Sequence, residues 1–305
     1  MYDILIAGAG PAGMTAAIYG ARGGKSVLML DKMNYGGQIV NTPEVENYPG
    51  TGRVSGFQLA QDMYDQATGL GAGMDYAEVT GIEKTEDGFL VHSSFGTDYE
   101  AKTVILATGV KSRLAGLERE EQMTGAGISY CATCDGAFFR KKDVIVLGGG
   151  NTALEDAEYL TNICNKVYLI HRRDKFRGEE IAVKRLAAKE NVEFVLDSVP
   201  VEILGEPKVT GLVVKNLKTE ETREIPASAV FVAYGRVPEN GAFADLAELD
   251  GAGFFAAKED CLTGTPGLFV AGDARAKVRR QLVTATADGA TAAMAAIDYL
   301  NALEG

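Results

Sequence analysis

Sulfur and imidazole are scarce in this chain of 305 residues, which has four cysteines and two histidines. Four cysteines are too few for the disulfide framework of a secreted protein this long. The histidines are His92 and His171, so a catalytic histidine late in the chain is excluded. Long apolar runs are missing as well: no segment approaches the roughly 20 residues of a membrane span. Positive charge is also short. With 30 Lys+Arg against 42 Asp+Glu the net charge is -12, which argues against nucleic acid or an anionic membrane as partner. Residues Met1–Ala7 enter a glycine loop without a basic stretch or cleavage site. They read as a strand rather than a signal peptide, and a cytoplasmic location is the default expectation.

Glycine loops are what the chain does have. Gly8-Ala9-Gly10-Pro11-Ala12-Gly13 follows the strand-like Ile4–Ala7 and precedes a helical stretch, Met14–Gly23, and a strand, Ser26–Leu30. Gly148-Gly149-Gly150-Asn151-Thr152-Ala153 sits likewise between Asp143–Leu147 and a helical Ala153–Thr161, with a strand over Lys166–Ile170. The strands are apolar on both faces, as in buried parallel sheets. An offset of 140 superposes Gly8 on Gly148, Gly10 on Gly150, Gly13 on Ala153 and Asp31 on His171 (148 − 8 = 140; 171 − 31 = 140). Such a duplication makes each loop far more credible as a nucleotide site than either would be alone.

Between the two units the pattern predicts a helix over Ser55–Gly71 and strands around Ala77–Ile82, Phe89–His92 and Thr103–Leu106. After them it predicts a helix over Glu179–Lys189, a strand Val192–Leu196, a hairpin-like run from Val201 to Ile225, and strands Ala229–Ala233 and Leu268–Ala271. An Ala-rich helix from about Leu282 to Leu303 closes the chain. Gly109–Gly116 and Gly235–Gly241 read as hinges. The expected fold is α/β, with two Rossmann-like three-layer (ββα-type) nucleotide-binding domains, the second inserted into the first. Residues 1–113 and 242–305 would form one domain and 114–241 the other.

In each loop, glycines permit a tight turn and close backbone approach, and the helix N-terminus meets a pyrophosphate. The strand ends separate the two ligands. Asp31 suits a ribose diol, whereas His171-Arg172-Arg173, with Arg177, suits a 2′-phosphate that a carboxylate would repel. NADPH rather than NADH is the expectation for the second loop, against the bland alternative of a solvated basic patch.

Cys131-Ala132-Thr133-Cys134-Asp135-Gly136 lies just ahead of the second loop. Its spacing allows a redox disulfide. Zinc is the main alternative, but it needs two further ligands that Cys164, Cys261, His92 and His171 are poorly placed to give, so no metal is expected. Cys164, set in a probable helix, and Cys261, in a late loop, read as inert thiols. Asp135 is the nearest group able to protonate a leaving thiolate, if burial raises its pKa; a helix N-cap or turn aspartate is an equal alternative. Gly36-Gly37-Gln38 and Arg280-Gln281 could touch a cofactor or serve only loop and cap. Two nucleotide sites around one thiol pair are the minimum for moving electrons from a nicotinamide through a flavin to a disulfide.

Taken together these motifs, with Glu46-Asn47-Tyr48-Pro49-Gly50, Ala107-Thr108-Gly109, His171–Arg177 and Gly272-Asp273, resemble the low-molecular-weight thioredoxin reductases over the whole chain. The resemblance implies FAD in the domain of both chain ends, at Gly8, Gly10, Pro11, Ala12, Gly13, Asp31, Lys32, Gly36, Gly37, Gln38, Asn47, Val79, Ala107, Thr108, Gly109, Gly272, Asp273, Arg280, Gln281 and Leu282. It implies NADPH in the inserted domain, at Gly148–Ala153, Glu155, His171, Arg172, Arg173, Arg177 and Arg236. It further implies a homodimer, Cys134 facing the flavin, Cys131 attacking the disulfide of thioredoxin, and Asp135 as general acid. Asp31 departs from the family, where glutamate is common. Another thioredoxin-fold or peroxide-reducing partner, and ferredoxin or NADH as donor, are the alternatives on the same scaffold. A non-catalytic flavin- or nucleotide-sensing protein is the alternative of another class.

Overall fold

Successive residues of a strand point to opposite faces of its sheet, and in this chain both faces are covered. In the opening strand, Tyr2–Ala7, Ile4 and Ile6 join one apolar core while Leu5 and Ala7 join another. The structure, a computed structural model, describes residues 1–32 and 34–304. Its contacts divide the chain into two units, Met1–Lys111 with Val237–Gly305, and Ser112–Arg236.

In the first unit, parallel strands run in the order Gly73–Tyr76, Val27–Asp31, Tyr2–Ala7, Asp98–Leu106, with Leu268–Val270 beside the last. One face carries the helices Pro11–Arg22, Gly56–Gly69 and Leu282–Glu304. The other is covered by antiparallel strands Val79–Lys84 and Phe89–Ser93 and by Phe243 and Phe255. The strand expected over Thr103–Leu106 begins five residues earlier (103 − 98 = 5). Its first three residues, Asp98–Glu100, pair with Phe89–Ser93 and not with the parallel core. Ser55 caps its helix by accepting the Gln58 N–H at 3.1 Å.

The second unit repeats the plan. Five parallel strands run in the order Val192–Val195, Lys166–Ile170, Asp143–Leu147, Ala229–Val232, Ile128–Ser129. Val144 and Val146 face the helices Asn151–Thr161 and Glu180–Ala187; Ile145 and Leu147 face a three-stranded antiparallel sheet. Each such side chain, at 0 % exposure, contributes about 1.5–3 kcal/mol on burial.

Two expectations are corrected. The hairpin-like run is three strands, Ser198–Leu204, Gly211–Asn216 and Thr222–Pro226, because it holds two turns rather than one. Cys164 lies beyond its helix, which stops at Thr161. There the Thr161 hydroxyl and the Asn162 amide both donate to Glu158 O, at 2.7 and 3.2 Å, in competition with the backbone. Both free cysteines are buried, and burial pushes their thiols up, to about 11 for Cys164 and about 12 for Cys261. That suits inert packing groups. No helix among the described residues is long and apolar enough to cross a membrane.

Candidate functional site

The first glycine loop joins Tyr2–Ala7 to the helix Pro11–Arg22. Gly10 caps that helix without a side chain, so the first-turn amides are left for a ligand. An added Cβ at Gly13 would stand 1.8 Å from Gly8 O. Asp31, ending the neighbouring strand, accepts the Ala9 N–H through Oδ2 at 2.9 Å. Gly36 N–H donates to Ala9 O at 2.7 Å and Ala107 N–H to Ala7 O at 2.8 Å, so three expected segments meet at this turn. A Cβ at Gly272 would stand 2.8 Å from the Ala12 methyl, which brings in Gly272-Asp273. Arg280 Nε donates to Asp273 O at 3.1 Å, and Gln281 N–H donates to Thr284 Oγ1 at 3.1 Å. Gln38 Nε2 donates to Val110 O at 3.1 Å, beside Thr108-Gly109. Lys32 pairs with Glu78, next to Val79, at 2.9 Å. Asn47 is exposed, and its side chain makes no hydrogen bond among the described residues. Glycine close approach, an open helix N-terminus and a strand-end carboxylate suit a dinucleotide such as a flavin adenine dinucleotide.

Polar residues missed by the sequence reading hold this cradle. Asp288, buried in the Ala-rich closing helix, accepts the Gly272 N–H at 3.1 Å. It also pairs with buried Arg275 at 3.0 Å and with Lys277 at 2.9 Å. Asn240, 1 % exposed, accepts the Thr108 hydroxyl at 2.9 Å and donates to Ala274 O at 3.1 Å. The Ala-rich helix carries two aspartates, Asp288 and Asp298, and only folding buries the first; Asn240 offered no signal, since its partners lie far along the chain.

The second loop is also capped by a glycine without a side-chain bond, Gly150. His171 packs on the glycine loop itself. It is 6 % exposed, and its ring lies over Gly149, where an added Cβ would stand 2.2 Å from Nδ1. Burial pushes its pKa down, with Arg177, Arg172 and Arg173 adding to the effect and a hydrogen bond to the Lys175 backbone opposing it. Arg172, Arg173 and Arg177 are exposed, and none has a carboxylate partner among the described residues. Their segment is pinned to the glycine loop. Arg177 and Gly178 N–H donate to Gly149 O at 2.6 and 3.1 Å, and Glu179 N–H donates to Asn151 Oδ1 at 2.8 Å. Thr152 and Glu155 are exposed on the helix that follows, and Arg236 ends the unit. An arginine-rich segment whose backbone is tied to the loop before an open helix N-terminus suits a phosphorylated nucleotide.

Cys131 and Cys134 form a disulfide. Cys131 caps the short helix Ala132–Asp135, and its carbonyl accepts the Cys134 and Asp135 N–H groups at 3.2 and 3.1 Å. Asp135 holds the N-cap position of the 3-10 turn Gly136–Phe139, but its carboxylate makes no capping bond and instead accepts the Ser129 hydroxyl at 2.5 Å through Oδ2. Burial raises its pKa, with the Ser129 bond opposing. Among the described residues no group of ligands fits a metal ion.

Comparison with known proteins agrees along the whole chain. The profile of the pyridine nucleotide-disulphide oxidoreductases matches residues 2–289. A thioredoxin reductase of Listeria monocytogenes is 42% identical over 100% of this chain and 95% of its own length. The crystal structure of thioredoxin reductase from Streptococcus pyogenes superposes with a TM-score of 0.95 at 43% identity, covering 99% of both chains. That from Giardia duodenalis gives 0.91 at 35% identity, covering 98% of this chain and 99% of its own.

Proposed function

The chain belongs to the pyridine nucleotide-disulphide oxidoreductase family, and from that premise we propose FAD as its flavin and NADPH as its electron donor. It is a flavoprotein enzyme that passes electrons from a pyridine nucleotide through a flavin and the Cys131–Cys134 pair to the disulfide of thioredoxin. One observation carries this reading: the disulfide sits in the same unit as an arginine-flanked glycine loop, while a second such loop with a carboxylate lies in the other unit.

The residues fit the groups. Gly8–Gly13, Asp31, Gly36–Gln38 and Gly272-Asp273 would hold FAD; Gly148–Ala153, Arg172, Arg173 and Arg177 would hold NADPH by its 2′-phosphate. When bound, these cofactors supply the two electrons that open the Cys131–Cys134 disulfide, at Cys134 first. The Cys131 thiolate then attacks one sulfur of the thioredoxin disulfide, so a Cys131–thioredoxin S–S bond forms as thioredoxin's own breaks. Asp135 protonates the departing thiolate; its raised pKa keeps a proton available for that task. Finally the Cys134 thiolate attacks Cys131, the pair closes, and the second thioredoxin thiol leaves.

The dithiol and the nicotinamide site belong to one unit, yet each must reach the flavin. Rotation about Gly109–Gly116 and Gly235–Gly241 resolves that competition. A homodimer in the cytoplasm completes the reading.

The test is reduction of thioredoxin by the purified yellow protein, with NADPH and NADH compared and other disulfide partners in parallel. The expected result is NADPH-dependent thioredoxin turnover, lost by at least about 10³-fold in Cys134→Ser while NADPH still bleaches the flavin. Turnover surviving in Cys134→Ser overturns the assignment.

A further inference from the structure

Ser129 ends the edge strand Ile128–Ser129 and is 3 % exposed. Its hydroxyl is used on both sides. It accepts the Cys131 N–H at 3.2 Å and donates to Asp135 Oδ2 at 2.5 Å. A hydroxyl has one proton to give, and Cys131 O, at 3.4 Å, is the poorer acceptor. The other carboxyl oxygen, Asp135 Oδ1, is buried with no hydrogen-bond partner among the described residues.

This asymmetry has a chemical consequence. An oxygen that already accepts a hydroxyl proton is the poorer place for the carboxyl's own proton. That proton therefore resides on Oδ1, the oxygen no protein group occupies. We propose that Ser129 is a positioning residue for disulfide exchange: it selects the Asp135 oxygen that delivers the proton and ties that carboxyl to the backbone of Cys131. The proposal rests on Asp135 being the proton donor.

Ser129 also moderates the acid. A donated hydrogen bond favours the carboxylate and burial favours the acid, and in Asp135 burial is the larger. Cys131 and Cys134 lie on its own turn, and Tyr159 packs against Gly136 from the helix Asn151–Thr161. Tyr130 turns away, its hydroxyl donating to Glu120 at 2.9 Å. Without Ser129, burial acts unopposed, so the pKa of Asp135 rises further. The high-pH limb, where turnover falls as Asp135 loses its proton, then moves to higher pH.

The test uses the flavin-loaded enzyme with thioredoxin and three variants. In Ser129→Ala the high-pH limb of kcat is expected to move up by about half to one unit, the worth of one hydrogen bond. The maximal rate is expected to fall about tenfold as the carboxyl loses its orientation. Ser129→Thr keeps the hydroxyl and is expected to restore the limb. An infrared titration of the carboxyl band that Asp135→Asn removes reads the same shift without turnover. Flavin content reports folding in each variant. A limb and a carboxyl band unmoved in Ser129→Ala, with Asp135→Asn still slow, overturn the role of Ser129 alone. Unchanged turnover in Asp135→Asn overturns Asp135 as donor and this proposal with it.

Discussion

The two glycine loops share one backbone plan and differ in what the neighbouring strand end does to them. In the first, Asp31 reaches back to the Ala9 amide, and position 9 carries a methyl group without conflict. In the second, the corresponding residue is Gly149 (9 + 140 = 149), because the His171 ring occupies the place its Cβ would take. The third position reverses the pattern. Gly13 has no room for a side chain, whereas Ala153 is accommodated at 0 % exposure. The two loops thus distribute their small residues differently, each according to its own neighbours. The strand ends differ in charge as well: a carboxylate in one, a pinned segment of three exposed arginines in the other.

The largest expected effect breaks the charge side of that contrast. If NADPH binds as proposed, replacing Arg172 and Arg173 together by alanine removes two charge-assisted contacts to its 2′-phosphate, each worth about 1.5–3 kcal/mol. KM for NADPH is expected to rise at least about 10²-fold while KM for NADH stays within about twofold, read by steady-state kinetics. An equal rise for both nucleotides would place the arginines away from the 2′-phosphate.

Next comes the packing side. Gly149→Ala forces a methyl group onto the His171 ring and is expected to destabilise the second unit by about 1–3 kcal/mol, read by thermal unfolding. His171→Ala in the same chain opens that space and is expected to return part of the loss. A full, unrescued loss would assign Gly149 to backbone conformation instead.

The smallest effect concerns Asp31. Asp31→Asn keeps an oxygen for the Ala9 amide and removes only the charge, so flavin affinity is expected to fall by about 0.5–1.5 kcal/mol, measured as flavin loss on dilution. Asp31→Ala, which also orphans the amide, is expected to lose more.

Much of this was legible in the sequence. Buried parallel strands leave continuous apolar runs, and glycine loops after them mark the turns, so both βαβ units could be read directly. The strand Thr103–Leu106 was read short because the residues that open it, Asp98–Glu100, pair with an antiparallel neighbour, and local pattern does not report a partner. The site divided the same way. Cys131 and Cys134, which form the disulfide, were readable because their spacing carries the chemistry. Ser129, Asn240 and Asp288 were not, because their roles lie in bonds to residues whose positions only folding brings together.

By itself the sequence determined the duplicated loops, the two charges at their strand ends and the dithiol between them, since each is written within a few consecutive residues. Tertiary structure alone decided that His171 turns inward while its neighbouring arginines stay out, and that Asp135 takes a hydroxyl instead of capping a helix. Burial is a property of the packed chain, and it is burial that pushes the pKa of His171 down and that of Asp135 up.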